Sequence, residues 1–181
     1  GVGGGPGSPA RAAGKGGATG RAPSSPGGAR GCPGDNGWGE AGGMPRHYRE
    51  APLLSIWEGS GNVNALDVLR ALRREPGTAQ ALFDELAAAR GADAHLDAAV
   101  ARLEQLLAAG SETTARRLVE LMALALQASL LVRHAPPAVA DAFCATRLGG
   151  DWGHAFGTLP DGADLDAVLE RALPDGQSGL S

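Results

Sequence analysis

Glu58 is the residue of this chain whose surroundings most directly suggest chemistry. It follows Trp57 and precedes a run of small, turn-forming residues in the segment 56–66, IWEGSGNVNAL. Glycines let the backbone approach a ligand closely, and the free amides at the start of a helix bind anions. This pattern suits a base presented to a flat cofactor, and the alternative interpretation is a solvated or helix-capping glutamate. The candidate cofactor-contact residues are Ile56, Trp57, Gly59, Ser60, Gly61, Asn62, Val63 and Asn64.

The composition changes sharply near Met44. Residues 1–43 hold 17 of the 29 glycines and 5 of the 12 prolines, and they contain no Leu, Ile, Phe or Met. Such a segment buries too little apolar surface to offset the entropy of ordering it, so we predict that 1–43 is a disordered tail. We expect an active-site segment over 44–66, a helical part over 64–173 and a short tail over 174–181.

Charge and cysteine usage restrict the function classes. The net charge is −4, and residues 63–181 carry ten basic and sixteen acidic side chains, which does not favour a general affinity for nucleic acid. Cys32 and Cys144 belong to no CxxC or His/Cys cluster, so neither a metal site nor a disulfide framework is predicted. The apolar run 118–132 is too short and too polar for a membrane span. We therefore expect a cytoplasmic protein without a membrane partner.

Six helices are predicted after the Glu58 loop, and no stretch alternates with the period of a strand. The predicted helix starts are Asn64, Thr78, Asp93, Ser111, Pro136–Pro137 and a position near Asp164. Glu75-Pro76-Gly77 ends the first helix, Arg90-Gly91 the second, and Arg133 lies near the end of the fourth. The segment 44–52 is interpreted as an ordered connection. Short loops between amphipathic helices indicate an all-α, up-and-down helical bundle.

Three consecutive segments resemble the C-terminal signature of the acyl-CoA dehydrogenase family, in its AidB-type alkylation-response branch. They are REAP at 49–52, IWEGSGNV at 56–63 and LDVLR at 66–70. The segment ADAFC at 140–144, after a double proline, is similar to the C-terminal extension of that branch. The resemblance covers about residues 44–173 and implies an acyl-CoA dehydrogenase C-terminal-like helical fold.

The resemblance implies a specific reaction. In the family, a glutamate at the position of Glu58 removes the α-proton of an acyl-CoA while a hydride leaves the β-carbon for FAD. A desolvated carboxylate beside the flavin would be the more basic. Trp57 would flank the site, and the Gly59–Asn62 segment would approach the FAD. The resemblance also implies a homo-oligomer, with tetramers common in the family.

DNA binding is a second expectation from the resemblance, because the branch is associated with double-stranded DNA. The local basic clusters are Arg70, Arg73 and Arg74 in the first predicted helix and Arg116 and Arg117 in the fourth. They could touch phosphates without reading sequence. The alternative is a solvated helix face whose arginines pair with Glu75, Glu112 or Glu120.

We interpret the chain as a C-terminal fragment of an acyl-CoA dehydrogenase-like flavoprotein, which by the resemblance supplies one wall of the FAD site and is inactive alone. Two alternatives remain from other classes. One is a DNA-binding helical module with vestigial dehydrogenase chemistry, and the other is a scaffold bundle for self-association.

Overall fold

The computed structural model describes residues 38–55, 60–152 and 157–173. Over these residues it contains seven α-helices and no strand, which confirms the all-α prediction. The helices are α1 Met44–Glu50, α2 Gly61–Arg74, α3 Pro76–Ala87, α4 Ala94–Ala109, α5 Ala115–His134, α6 Pro137–Phe143 and α7 Leu165–Ala172. Residues 1–37 and 174–181, on which most of the two tail predictions fall, lie outside the described residues.

The segment 44–52 is mostly helical, so its interpretation as a connection is wrong. Helix α1 spans Met44–Glu50, and a 3₁₀ turn follows over Ala51–Ser55. Pro45 is buried in the first turn of the helix, where proline is tolerated because no intrahelical N–H is required there. Arg46 Nε contacts Glu50 Oε1 at 3.2 Å, an i,i+4 pair that supports the helix.

Three of the predicted helix starts are confirmed by side-chain caps. Asp93 accepts from the Leu96 amide at 2.8 Å and opens α4, and Asp164 accepts from the Ala167 amide at 3.0 Å and opens α7. Ser111 accepts from the amide of Thr113 at 3.3 Å. The turn that Ser111 caps is a 3₁₀ turn, Glu112–Thr114, which continues into α5. The prolines at 136–137 open α6 as predicted.

Helix α3 differs from its prediction at both ends. It begins at Pro76 instead of after Thr78, because proline suits the first turn of a helix. Thr78 then lies inside the first turn, where its hydroxyl donates to Glu75 Oε2 at 3.4 Å. The helix ends at Ala87, and a turn reaches Gly91, whose φ of 78° favours glycine.

The chain divides into two compact units. The first comprises Gly1–Phe83 and Leu103–Ala123. Helix α2 buries one of its own faces in this unit, and the start of α5 buries an apolar face as well. Leu66 and Leu72 of α2 are only half-buried. The buried side chains of the unit include Ala65, Val68 and Leu69 from α2 and Ala115, Leu118, Val119, Met122 and Ala123 from α5.

The second unit comprises Asp84–Arg102 and Leu124–Ser181. Within it α6 packs on α7, and Glu85 forms an ion pair with Arg133. The other face of α7 exposes leucines four residues apart. The buried side chains of the unit include Leu86, Leu96, Ala99, Ala125, Ala128, Ser129, Ala140 and Cys144. No helix in the described ranges is both long and apolar enough to cross a membrane.

Gly149 is required by close packing in the second unit. A Cβ at this position would lie 2.6 Å from the carbonyl oxygen of Ala145 and 2.8 Å from a ring carbon of His95. The backbone φ of Gly149 is −73°, so the constraint is steric and not conformational. The π-helical turn Cys144–Leu148 therefore ends against the imidazole of His95.

We expect Gly149→Ala to lower the free energy of unfolding by about 1–3 kcal/mol, because the backbone carbonyl cannot move aside without shifting the π turn. Urea denaturation followed by circular dichroism measures this change. Gly77→Ala is the matched control, since a Cβ there meets nothing within 4 Å. The control should be neutral or stabilising by up to about 1 kcal/mol. Equal stability of the two variants would contradict the steric argument.

Candidate functional site

The candidate cofactor-contact segment is only partly within the described residues. Glu58, Ile56, Trp57 and Gly59 lie outside them. The structure places the rest of the segment, residues 60–64, at the start of α2. Their geometry is the part of the site that can be built from the structure.

The N-cap of α2 is Ser60, four residues before the predicted Asn64. Ser60 occupies the N-cap position with an extended backbone, φ −67° and ψ 158°. Its carbonyl accepts from the Asn64 amide at 3.0 Å, but its side chain makes no capping hydrogen bond. The preceding amides, those of Gly61, Asn62 and Val63, belong to the first turn and have no intrahelical acceptor.

Arg116 brings a positive charge to the same place. A Cβ on Gly61 would lie 3.7 Å from Arg116 Nη2, so the guanidinium of α5 is close to the first residue of α2. Arg116 is exposed and forms no ion pair among the described residues. The positive end of the α2 dipole and this guanidinium both favour an anion at the start of α2. A phosphate or diphosphate is the chemistry that this arrangement fits.

Arg73, at the C-terminal end of α2, contacts the segment that leads into α5. Its Nη2 donates to the carbonyl oxygen of Gly110 at 2.8 Å, and its Nη1 lies 3.7 Å from Glu112 Oε1. Gly110 has a φ of 56° and follows the C-terminal end of α4. The guanidinium therefore satisfies a helix-terminal carbonyl while it pairs with a carboxylate.

The five arginines considered for DNA contact fall into two groups. Arg70 pairs with Asp67 at 2.6 Å and Arg73 with Gly110 and Glu112, as expected of a solvated helix face. The others are exposed and make no ion pair in the part of the chain that the structure describes. They are Arg74, Arg116 and Arg117.

The sequence did not indicate that Cys144, in the second unit, is buried beside a charged side chain. Cys144 is fully buried at the start of the π turn and is not in a disulfide. Burial, and secondly the carboxylate of Asp93, raises the pKa of the Cys144 thiol to about 12. The same carboxylate caps α4, and its negative charge disfavours the thiolate form of Cys144. A thiol that stays protonated is a poor nucleophile, so Cys144 is structural. No group of three or more metal-binding side chains occurs among the described residues.

Comparison with known proteins supports the family resemblance. No protein-family model matches the chain. The chain is 38% identical over 105 residues to a protein of Escherichia coli (strain K12) named "Putative acyl-CoA dehydrogenase AidB". The match covers 58% of this chain and 19% of that protein, so the chain corresponds to about a fifth of its relative. The predicted similarity to an AidB-type acyl-CoA dehydrogenase is thereby confirmed for this portion.

We expect the Cys144 thiol to contribute to the pH dependence of stability at alkaline pH. Its folded pKa of about 12 lies above the ordinary value of 9.0, so its contribution is fully present below about pH 9 and is lost as the pH rises toward 12. Between about pH 8 and about pH 10, the unfolding free energy of wild type should fall by about 1.4 kcal/mol more than that of Cys144→Ala.

Urea denaturation of both proteins in a Cys32→Ser background measures this difference, and all other titrating groups cancel in the comparison. A thiol reagent should also label Cys144 slowly in the folded protein and rapidly in urea. Parallel pH profiles for the two proteins would contradict the assignment.

Proposed function

We propose that this chain supplies the base-bearing loop and the cofactor-facing helix of an FAD-dependent, acyl-CoA dehydrogenase-like oxidoreductase. The observation that carries the proposal is the 38% identity to the Escherichia coli relative. The uncapped start of α2, with Arg116 beside Gly61, supports it, because that arrangement suits the negatively charged diphosphate of FAD.

The proposed reaction is the α,β-dehydrogenation of an acyl-CoA thioester. Glu58 accepts the proton from the α-carbon, and the β-carbon loses a hydride. Bound FAD supplies the hydride acceptor, at N5 of its flavin ring. The thioester thus loses two electrons and two hydrogens, and an α,β double bond forms.

Each residue of the loop has a role in this proposal. Trp57 would shield the carboxylate of Glu58 from water, as the family resemblance implies. Gly59 and Ser60 are small residues, so the backbone at these positions could lie close to the flavin. The amides of Gly61, Asn62 and Val63 lie at the positive end of α2. There they would donate to the phosphate oxygens of FAD. Ile56 and Asn64 complete the contact surface.

The chemistry is tested by Glu58→Gln, which keeps the shape of the side chain and removes the base. We expect the substitution to slow flavin reduction by an acyl-CoA about 10²- to 10⁴-fold, because a general base contributes that much. Flavin binding should persist. The measurement is the anaerobic loss of visible flavin absorbance with short-, medium- and long-chain acyl-CoA thioesters.

The test uses the full chain and a chimera in which this chain replaces the matching segment of the Escherichia coli relative. Glu50→Gln is the matched control, because Glu50 is an exposed residue paired with Arg46. The proposal is contradicted if neither protein retains bound FAD after excess FAD has been removed. It is also contradicted if the acyl-CoA reduces the flavin of Glu58→Gln as fast as that of Glu50→Gln.

Binding to duplex DNA is a second candidate function, favoured by exposed guanidinium groups that form no ion pair with the described residues. Arg74, Arg116 and Arg117 are free to contact phosphates, whereas the charges of Arg70 and Arg73 are compensated by carboxylates. The acidic balance of residues 63–181 limits such binding to a weak, sequence-independent contact. Self-association as a scaffold is not favoured by any described contact.

For DNA, we expect Arg117→Gln to flatten the slope of log affinity against log salt by about 0.9, since one phosphate contact is lost. Arg70→Gln should leave the slope unchanged, because its guanidinium is engaged by Asp67. Fluorescence anisotropy with two unrelated duplexes measures both slopes. The absence of binding at low salt, or equal slopes for the two variants, would exclude a role for these arginines.

A further inference from the structure

Arg73 is placed to influence the start of α2 although it lies at the other end of that helix. Its guanidinium makes the hydrogen bond to Gly110 at 2.8 Å and the ion pair with Glu112 at 3.7 Å. Both partners precede α5, and Arg116 lies in the first turn of α5. A single side chain of α2 therefore holds the segment from which Arg116 emerges.

The path from Arg73 to Arg116 is short and regular. Ser111 caps the 3₁₀ turn Glu112–Thr114 with its side chain, and Thr114 donates from its hydroxyl to the carbonyl of Ser111 at 3.1 Å. Ala115, the first residue of α5, is buried. Because this turn is internally hydrogen-bonded, a shift at Glu112 carries through to Arg116 instead of being absorbed between them.

The ion pair of Arg70 does not have this reach. Arg70 pairs with Asp67 on its own helix at 2.6 Å, so its loss changes the local charge and leaves the start of α5 in place. Arg73, unlike Arg70, therefore links α2 to the turn that opens α5.

We propose that Arg73 is a positioning residue for the cofactor site: by clamping Gly110 and Glu112, it fixes the Arg116 guanidinium against Gly61 at the start of α2. The inference rests on the proposed function only for its consequence, which is the binding of FAD. The positioning itself is a property of this chain and can be measured without the cofactor.

The positioning is tested by amide NMR of the full chain without ligand. In Arg73→Gln we expect the Gly61 amide and the Arg116 side-chain Nε–H resonances to shift. In Arg70→Gln they should stay in place, although residue 70 is nearer to Gly61 in the helix than residue 73. Arg73→Lys should retain part of the effect, because a lysine can still donate to Gly110 or pair with Glu112. Unchanged Gly61 and Arg116 resonances in folded Arg73→Gln would overturn the proposal.

The consequence is tested by FAD titration of Arg73→Gln, Arg116→Gln and the double variant, in the chain and in the chimera described above. Arg73→Gln should weaken FAD binding about fivefold, the effect of one hydrogen bond. If Arg73 acts through Arg116, the two substitutions are not additive, and Arg73→Gln has no further effect in the Arg116→Gln background. Additive losses would overturn the inference.

The two proposals fail in different ways. If the unsubstituted proteins bind no FAD, the proposed function is wrong, while the NMR shifts still decide whether Arg73 positions Arg116. If FAD binds normally and the NMR resonances do not respond to Arg73→Gln, the positioning role is wrong and the proposed function stands.

Discussion

The first turn of α2 carries backbone amides that the side chain of its N-cap residue, Ser60, does not cap, and the candidate site depends on this deficit. Helices α4 and α7 are capped by Asp93 and Asp164, and Ser111 caps the turn that opens α5. At α2 the N-cap residue is Ser60, a good capping type, yet its side chain accepts no amide. A missing cap costs about 1 kcal/mol, so an anion that binds there restores hydrogen bonds the helix lacks.

The parts of the fold that the sequence predicted are those set by local interactions. Asp93, Ser111 and Asp164 precede apolar runs at the spacing of a cap, and each one caps. The prediction of Asn64 as the N-cap of α2 was wrong. Ser60, Asn62 and Asn64 are all residue types that cap helices, and they lie at alternate positions, so the sequence alone does not choose among them. The helix extends to the earliest of these starts, since the intervening Gly61 lies in the first turn, where its low propensity costs little.

The parts that could not be predicted depend on residues distant in the sequence. The hydrogen bond from Arg73 to Gly110 spans 37 residues and could not be predicted. The sequence suggested only the other partner of Arg73, the carboxylate of Glu112. The fully buried thiol of Cys144 beside Asp93 is also invisible to a periodicity argument. Asp93 could be recognised as a cap, but its second role, as the charge that raises the pKa of a thiol 51 positions later, requires the packing of the second unit.

The charge distribution distinguishes a cofactor site from a nucleic-acid surface. A diphosphate needs a few convergent donors, and the start of α2 offers first-turn amides and one guanidinium in a small volume. A DNA surface instead needs many separated cations, because each phosphate contact adds a salt-sensitive increment to the affinity. Of the arginines available for such a surface, Arg70 and Arg73 are compensated by Asp67 and Glu112. The other arginines lie in the range 63–181, which carries sixteen acidic side chains. Arg73 then contributes more as a clamp than as a charge, since its pairing with Glu112 removes a cation from the surface and fixes the one at Arg116.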